Sequence, residues 1–363
     1  MASSLEAVQS LLVRGLGMLP PRAARLLAGR PVRIDGQVLD PNVQLALRLE
    51  RFLGGWEPMP AAEARELRRH DARLFRGRRI EVARVDELSI PGPAGPIPAR
   101  LYVPEAVSKT RAPLLVYYHG GGHVIGDLDT HDQPCRFLAR EIPALLLAVD
   151  YRLGPEHPFP AAVDDAVAAF AFAHSQAAEL GADRDRIAVA GDSAGANLAT
   201  VVAQQTTADG GPRPALQALI YPVTDYSSKR PSYAKFAKGF FLTREEMDWF
   251  RDNYFADLDQ RSDPRASPIL AEDLSGLPPA HVVTAGFDPL RDEGEDYAHR
   301  LLDAGVPTTT RREAGLVHGF INAVGVSPVA REALGRIAAA IRAGLAPAAK
   351  APSPASTARQ RLP

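Results

Sequence analysis

A serine flanked by two glycines lies where an apolar run gives way to an alanine-rich one. The segment is Gly191-Asp192-Ser193-Ala194-Gly195. Residues 186–190 before it predict a buried strand, and residues 196–205 after it predict a helix. A strand, a sharp turn and a helix form the setting in which G-x-S-x-G exposes a serine hydroxyl for nucleophilic attack. Because similar patterns occur in ordinary helix-starting turns, the motif alone is a hypothesis.

A second glycine-rich segment, His119-Gly120-Gly121-Gly122, follows the apolar run 114–118. Three consecutive glycines cost backbone entropy, so they need a reason beyond a flexible turn. A loop whose amides point at a substrate oxygen is such a reason, as in HGGG-type oxyanion loops. The candidate oxyanion donors are therefore the amides of Gly121, Gly122 and Ala194. A phosphate loop is excluded because Asp127-Leu128 stand where it requires Lys and Ser/Thr.

An acid and a histidine should complete the chemistry of the serine, in the chain order Ser, Asp or Glu, His. Asp288 comes shortly after the predicted strand 280–285, at the carboxyl end where open α/β sheets place functional groups. His318, beside a glycine, follows the β-prone run 308–312. Four further acids compete with Asp288, but a predicted helix running to Asp303 favours solvated or capping roles for them: Asp292, Glu293, Glu295 and Asp296.

The remaining histidines and the cysteine favour structural roles. His119 and His123 are separated by three glycines and lack the glutamate of an HExxH zinc helix. We expect His119 to brace its glycine loop by hydrogen bonding. The single cysteine, Cys135, is interpreted as a buried structural thiol in a helix. No metal or organic cofactor is expected.

Taken in order, these motifs resemble the hormone-sensitive-lipase-like α/β-hydrolases, the bacterial family IV carboxylesterases with the GDSAG serine motif. The resemblance covers residues 39–345 and rests on five segments: residues 119–122, 150–160, 191–195, 288–294 and 318–320. It implies a nucleophile at Ser193 with Asp288 and His318 as its partners. One departure is His123, where many relatives have a bulky aromatic residue, and this bears on the shape of the adjoining acyl or alcohol pocket.

Composition is typical of a globular enzyme. The 363 residues are 46% hydrophobic and 23% charged, enough for one large core. A formal net charge of -1 gives no overall field that would attract nucleic acid or an acidic membrane. One cysteine excludes an intrachain disulfide and fits a reducing cytoplasm. No apolar run approaches the ~20 residues of a membrane span. The expected partner is a small-molecule ester, and a homodimer stays open.

Strands and helices alternate through much of the chain. An early hairpin is predicted from residues 79–89 and 99–104, joined by a Pro/Gly-rich turn at 91–96. Later strands are predicted at 114–118, 144–149, 186–190, 215–221, 280–285 and 307–312. This alternation predicts an α/β fold with a mostly parallel central sheet flanked by helices on both faces, as in the α/β-hydrolase fold.

Two segments break the alternation and are predicted to form a helical cap. They are the N-terminal residues 1–77 and the insertion 225–277, so the catalytic domain comprises 78–224 and 278–345. Within the insertion, Phe240 and Phe241 are candidates, with His123, for lining a pocket for an apolar acyl chain. The tail 346–363 is rich in Ala, Pro and Ser and is predicted to be disordered.

The N-terminal segment carries an amphipathic pattern of Leu5, Val8, Leu11, Leu12 and Leu16. This spacing predicts a helix. We interpret it as part of the cap over the active site. Weak attachment to a membrane surface is the alternative, disfavoured by few basic residues on the polar face of the helix.

Together the motifs and the resemblance predict a serine carboxylesterase that hydrolyses short- to medium-chain acyl esters through an acyl-enzyme intermediate. Two alternatives stay open. One is a non-catalytic small-molecule receptor on the same fold, which normally lacks part of the triad. The other is a lipase or amidase acting on longer acyl or amide substrates, although the many charges in 244–263 disfavour an exposed apolar lid.

Overall fold

The computed structural model describes residues 4–52, 56–107 and 111–347. The predicted disordered tail lies outside these residues from position 348 onward. The N-terminal segment forms four helices and a small antiparallel ribbon: α1 (Ser4–Gly17), α2 (Pro21–Ala28), β1 (Arg33–Ile34), β2 (Gln37–Val38), α3 (Pro41–Phe52) and α4 (Ala61–Phe75). In the described part of the chain, no helix has the length and apolar character needed to cross a membrane.

An eight-stranded sheet lies at the centre of the molecule. Its strands in chain order are β3 (Arg84–Gly92), β4 (Gly95–Val103), β5 (Ala112–Tyr118), β6 (Leu145–Val149), β7 (Ala182–Asp192), β8 (Gln217–Ile220), β9 (Ala280–Phe287) and β10 (Thr308–Val317). Their spatial order is β10-β9-β8-β7-β5-β6-β4-β3. The strands from β10 to β6 are parallel, and the β3–β4 hairpin joins β6 antiparallel. The predicted mostly parallel α/β sheet is confirmed.

Helices cover both faces of this sheet because alternate residues of each strand point to opposite sides. On β5, Leu115 and Tyr117 pack towards α5 (Asp132–Glu141) and α12 (Pro328–Gly344). Leu114 and Val116 pack towards the opposite layer, α6 (Ala161–Ser175), α8 (Ala194–Ala208) and α11 (Arg291–Asp303). A short helix, α7 (Ala177–Leu180), precedes β7. Cys135 of α5 is completely buried, in agreement with the structural interpretation of this thiol.

The insertion 225–277 contains α9 (Pro231–Lys235), α10 (Arg244–Tyr254) and two 3-10 turns, Leu258–Ser262 and Pro268–Leu270. A capping box starts α10: the Thr243 hydroxyl accepts from the Glu246 amide at 3.1 Å, and the Glu246 carboxylate accepts from the Thr243 amide at 2.9 Å. Trp249 Nε1 donates to the Met59 carbonyl at 3.1 Å, which joins α10 to the segment before α4. The division of the chain into cap and catalytic domain stays a prediction.

Candidate active site

Ser193 occupies the sharp turn between β7 and α8 at the carboxyl edge of the sheet. Its φ of 55° and ψ of -119° lie where non-glycine residues are strained. A Cβ atom on Gly191 would come within 2.3 Å of the Gly195 backbone, and one on Gly195 within 1.9 Å of the Tyr118 carbonyl. The two glycines of the motif are therefore required by close backbone approach. The Ser193 amide donates to the Ile220 carbonyl at 2.9 Å, which fixes the turn against β8.

His318 connects the serine to a carboxylate. Its Nε2 lies 2.9 Å from Ser193 Oγ, and its Nδ1 lies 2.8 Å from Asp288 Oδ2. The second Asp288 oxygen accepts from the Leu290 amide at 2.8 Å, which orients the carboxylate at the end of β9. As whole residues, Ser193, His318 and Asp288 are 9%, 7% and 1% exposed. The structure thus places all three predicted residues in one hydrogen-bonded chain, with an imidazole able to accept the serine proton.

The glycine loop lies beside the nucleophile turn, where its Gly120 amide donates to Asp192 at 2.9 Å. Gly121 and Gly122 have φ of 126° and 61°, in the region that favours glycine. Within the described part of the chain, neither amide donates a hydrogen bond. The third candidate donor, the Ala194 amide, belongs to the first residue of α8 and so has no partner inside its helix. The three candidate amides therefore have no partner among the described residues, and their role as oxyanion donors stays a prediction.

His119 and Tyr151 hold this loop in place. The Tyr151 hydroxyl donates to the His119 carbonyl at 2.6 Å, and the two rings stack 4.4 Å apart. His119 Nδ1 donates to the Gly120 carbonyl at 2.9 Å. Burial lowers the pKa of His119 to about 4, so the ring is neutral near pH 7. The loop is braced by His119 in the way that the sequence predicts.

Asp192 is a structural partner of this loop that sequence reasoning missed. Its buried carboxylate accepts from the Gly120 amide at 2.9 Å, from the Tyr117 hydroxyl at 2.7 Å and from the Tyr221 hydroxyl at 3.3 Å. Burial alone would raise the pKa of Asp192, but the interaction with His131 and these donors outweigh it and bring the pKa to about 2. The only feature of the sequence that points to this role is the position of Asp192 directly before the nucleophile.

The predicted pocket residues lie in three different environments. His123 has no exposed surface and stacks on Tyr254 with ring centroids 4.1 Å apart, so its ring does not line an open cleft. This corrects the expectation for His123. Phe240 packs against Phe287 at 5.6 Å in a small apolar cluster. Phe241 is 41% exposed and lies near Gly319, the neighbour of His318.

Phe250 of α10 is an aromatic residue at the site that the sequence did not single out. A Cβ atom built on Gly122 would come within 2.3 Å of the Phe250 ring. The ring therefore lies directly against the glycine loop. The sequence of a single helix does not indicate which loop its aromatic side chains will contact.

The four competing acids do not contact His318. They bind other partners instead: Asp292 accepts from the Ser232 amide at 2.8 Å, Glu293 from the Thr224 amide at 2.7 Å, Glu295 from the Thr284 hydroxyl at 2.9 Å, and Asp296 from Arg230 Nε at 2.7 Å. Their role in the structure is to fasten α11 to neighbouring segments.

Comparison with known proteins identifies the family. A sequence profile of the alpha/beta hydrolase fold matches residues 115–322. The chain belongs to this α/β-hydrolase family. It is 49% identical over 320 residues to the carboxylic ester hydrolase LipN of Mycobacterium tuberculosis (strain ATCC 25618 / H37Rv), an alignment covering 85% of this chain and 84% of LipN.

Two further relatives extend this finding to other organisms. The ethyl acetate hydrolase of Pseudomonas putida is 38% identical, with 84% of this α/β-hydrolase and 98% of that protein aligned. The solved structure of a hyperthermophilic esterase from the archaeon Pyrobaculum calidifontis superposes with a TM-score of 0.82 at 42% identity, covering 85% of this chain and 99% of that one. The identification as a hormone-sensitive-lipase-like carboxylesterase, and hence as a hydrolase of carboxylic esters, is confirmed.

Proposed function

We propose that this esterase uses Ser193, His318 and Asp288 as its catalytic triad and acts on short- to medium-chain acyl esters. The observation that supports the proposal is the hydrogen-bonded chain from Ser193 Oγ through His318 to Asp288, with contacts of 2.9 and 2.8 Å. In the neighbouring glycine loop, the Gly121 and Gly122 amides donate to no group among the described residues. A nucleophile, its base and the orienter of that base are the groups that acyl transfer requires.

In the first half of the reaction, Ser193 Oγ attacks the ester carbonyl carbon while His318 Nε2 takes the hydroxyl proton. Asp288 stabilises the imidazolium that forms and keeps Nδ1 protonated beforehand. The carbonyl oxygen becomes an oxyanion held by the amides of Gly121, Gly122 and Ala194. Each such donor contributes about 3–4 kcal/mol to the stability of the transition state. The tetrahedral intermediate then collapses, and His318 gives its proton to the departing alcohol.

In the second half, water replaces the alcohol. His318 takes a proton from the water as its oxygen attacks the acyl carbon of the Ser193 ester. The same amides receive the second oxyanion. Collapse breaks the bond between the acyl group and Ser193 Oγ, the proton returns to that oxygen, and a carboxylic acid is released.

The limited space around Ser193 supports a preference for substrates with a short to medium acyl chain. Ser193 is only 9% exposed. The Phe250 ring lies against Gly122, which limits the room beside the reacting carbonyl. The relative named ethyl acetate hydrolase is in keeping with a small substrate. A hydrolysis profile over p-nitrophenyl esters of increasing acyl length measures this preference directly.

The triad assignment is tested with Ser193→Ala on p-nitrophenyl butyrate. We expect a loss of kcat of at least about 10³-fold with an unchanged unfolding temperature, because the substitution removes one buried oxygen and no backbone contact. A fluorophosphonate should label the unsubstituted protein once and leave Ser193→Ala unlabelled. Near-normal turnover by the variant would reject the assignment.

The alternatives give different results in the same experiments. A non-catalytic receptor would bind esters without turnover, and an intact hydrogen-bonded triad does not favour it. A lipase would show its highest kcat/KM on long acyl chains, and an amidase would cleave p-nitroanilides at rates comparable to esters.

The buried thiol of Cys135 fits the predicted cytoplasmic location, which cell fractionation would test.

A further inference from the structure

The N-terminal segment combines positive charge with exposed apolar side chains. Between positions 7 and 34 the chain has no Asp or Glu but five arginines, whereas the whole protein has a formal net charge of -1. These are Arg14, Arg22, Arg25, Arg30 and Arg33, and all are exposed. More than half of the surface is also exposed for Val8, Leu11, Leu12, Met18, Leu26 and Leu27. An apolar patch of this kind on a protein surface marks an interaction site.

A cavity of about 490 Å³ lies beside the end of α1 and is rich in guanidinium groups. Its charged lining consists of one acid and five arginines: Glu81, Arg14, Arg78, Arg79, Arg140 and Arg331. Considering only residues that the structure describes, the guanidinium groups of Arg14, Arg78 and Arg79 take part in no hydrogen bond or ion pair, although the Arg14 and Arg78 carbonyls accept from Met18 and Gln133. Planar guanidinium groups with free donors are the preferred protein partners of phosphate oxygens.

The exposed side of α1 adjoins the cavity. Leu11, Arg14 and Met18 follow one another at spacings of three and four residues, so they lie on one side of α1. Arg14 and Met18 both line the cavity. We call this surface the basic-apolar face and define it by Leu11, Arg14, Met18, Arg78 and Arg79, together with Leu12, the exposed neighbour of Leu11. It presents leucines next to a cluster of unpaired arginines.

We propose that the basic-apolar face docks the protein on an anionic phospholipid surface. Apolar side chains of a helix that lies in the interface enter the boundary of the acyl region, while basic groups bind the lipid phosphates. The positive charge of the face favours a phospholipid surface over a second copy of the chain. A symmetric dimer through this face would bring two sets of the same unpaired arginines together, whereas an anionic surface neutralises them.

The proposal does not depend on the catalytic assignment, because no residue of the basic-apolar face belongs to the active site. The first test is co-sedimentation of the full-length protein with vesicles of phosphatidylcholine and phosphatidylglycerol. We expect binding at low salt that is lost at high salt and is absent with phosphatidylcholine alone.

The arginine arm of the test uses Arg78→Gln/Arg79→Gln. Each basic group near an anionic surface contributes roughly a fivefold factor in binding, so the double variant should bind about 25-fold more weakly. The matched control is Arg111→Gln/Arg184→Gln, which removes two exposed arginines outside the face and should bind like the unsubstituted protein. Both double variants should keep full activity on a water-soluble ester.

The apolar arm uses Leu11→Gln/Leu12→Gln, with Leu258→Gln/Leu302→Gln as a control at exposed leucines elsewhere. We expect at least about tenfold weaker vesicle binding for the first pair and no change for the second. Unfolding temperatures and activity should be unaffected in both, because these side chains are solvent-exposed.

Four results would overturn the proposal. These are equal binding to neutral and anionic vesicles, equal binding by the arginine variant and its control, or binding of inorganic phosphate without any binding of vesicles. The fourth is self-association in sedimentation velocity that the Leu11→Gln/Leu12→Gln variant abolishes while vesicles are not bound. That result would assign the face to contacts between copies of the chain.

Discussion

Asp192 accepts a hydrogen bond from the amide of Gly120 at 2.9 Å, and this contact joins the nucleophile turn to the glycine loop. Asp192 precedes Ser193, and Gly120 precedes the two amides proposed to bind the oxyanion. The same carboxylate accepts from Tyr221, whose ring lies 4.5 Å from that of His318. One buried carboxylate therefore connects the carboxyl ends of three strands, β5, β7 and β8, next to the reacting atoms.

Replacing this anion should impair catalysis more than binding. In Asp192→Asn the charge is lost and the new amide hydrogens point at groups that themselves donate. We expect kcat to fall about 10- to 100-fold with a small change in KM, because a displaced loop stabilises the oxyanion less well. The free energy of unfolding should fall by about 1–3 kcal/mol. Steady-state kinetics and urea denaturation measure both effects.

The control is Asp183→Asn, at the start of the same strand, where the carboxylate pairs with Arg186 near the surface. It should leave kcat unchanged. If Asp192→Asn kept full kcat while losing stability, the carboxylate would have no part in positioning the loop.

The identity of the catalytic acid gives a second prediction. Asp288→Asn should reduce kcat by about 10³- to 10⁴-fold, because an asparagine amide would favour the wrong tautomer of His318. Asp292→Asn should change kcat less than about threefold, because its carboxylate accepts from the Ser232 amide at 2.8 Å rather than from His318. The same p-nitrophenyl butyrate assay compares the two variants. The reverse ranking would show that the acid is wrongly assigned.

The order of motifs along the chain was enough to predict the fold and the three residues of the proposed triad. Each of these residues follows a strand that an apolar or β-prone run predicts, and parallel strands bring their carboxyl ends to one edge. The strand limits were less accurate. The structure extends β7 to Ala182–Asp192, because the polar residues 183–185 at its start do not register in an apolar pattern. It extends β10 to Thr308–Val317, across a register shift between Glu313 and Val317 that a regular strand pattern does not predict.

Contacts between distant segments could not be predicted. His123 was placed in the substrate pocket because it follows the glycine loop, but the Tyr254 ring stacks on it and it is fully buried. Phe250 was overlooked because nothing in a single helix shows that its ring will meet Gly122. Both misses concern α10, whose docking on the loop depends on packing between segments and not on local pattern.

Phe250 should control acyl selectivity. Phe250→Ala removes the ring that lies against Gly122, so the ratio of kcat/KM for octanoate to butyrate esters should rise at least about tenfold. Because the side chain is partly buried, the free energy of unfolding should also fall by about 2–3 kcal/mol. A series of p-nitrophenyl esters measures the selectivity.

Phe172→Ala on α6 is the matched control, since Phe172 is also partly buried against the core. It should lose similar stability without any change in selectivity. An identical shift in both variants would mean that loosening of the fold, and not the pocket, governs acyl preference.

Glu293 should make stability depend on pH. Its carboxyl group is completely buried, and burial raises its pKa from 4.5 to about 8. Between these two pH values the folded protein binds more protons than the unfolded chain, so the free energy of unfolding falls as pH rises. The contribution of this group is fully present below about pH 4.5 and is lost by the time pH passes about 8.

Glu293→Gln should remove this dependence, because the amide oxygen can still accept from the Thr224 amide and carries no charge at any pH. We expect the variant to match the unsubstituted protein within about 1 kcal/mol at pH 5 and to exceed it by a few kcal/mol at pH 9, measured by urea denaturation. Glu295→Gln, where the carboxylate pairs with the surface residue Arg312, is the control and should show the same pH slope as the unsubstituted protein. Parallel stability curves for Glu293→Gln and the unsubstituted protein across this range would mean that the Glu293 carboxylate is already ionised in the folded state.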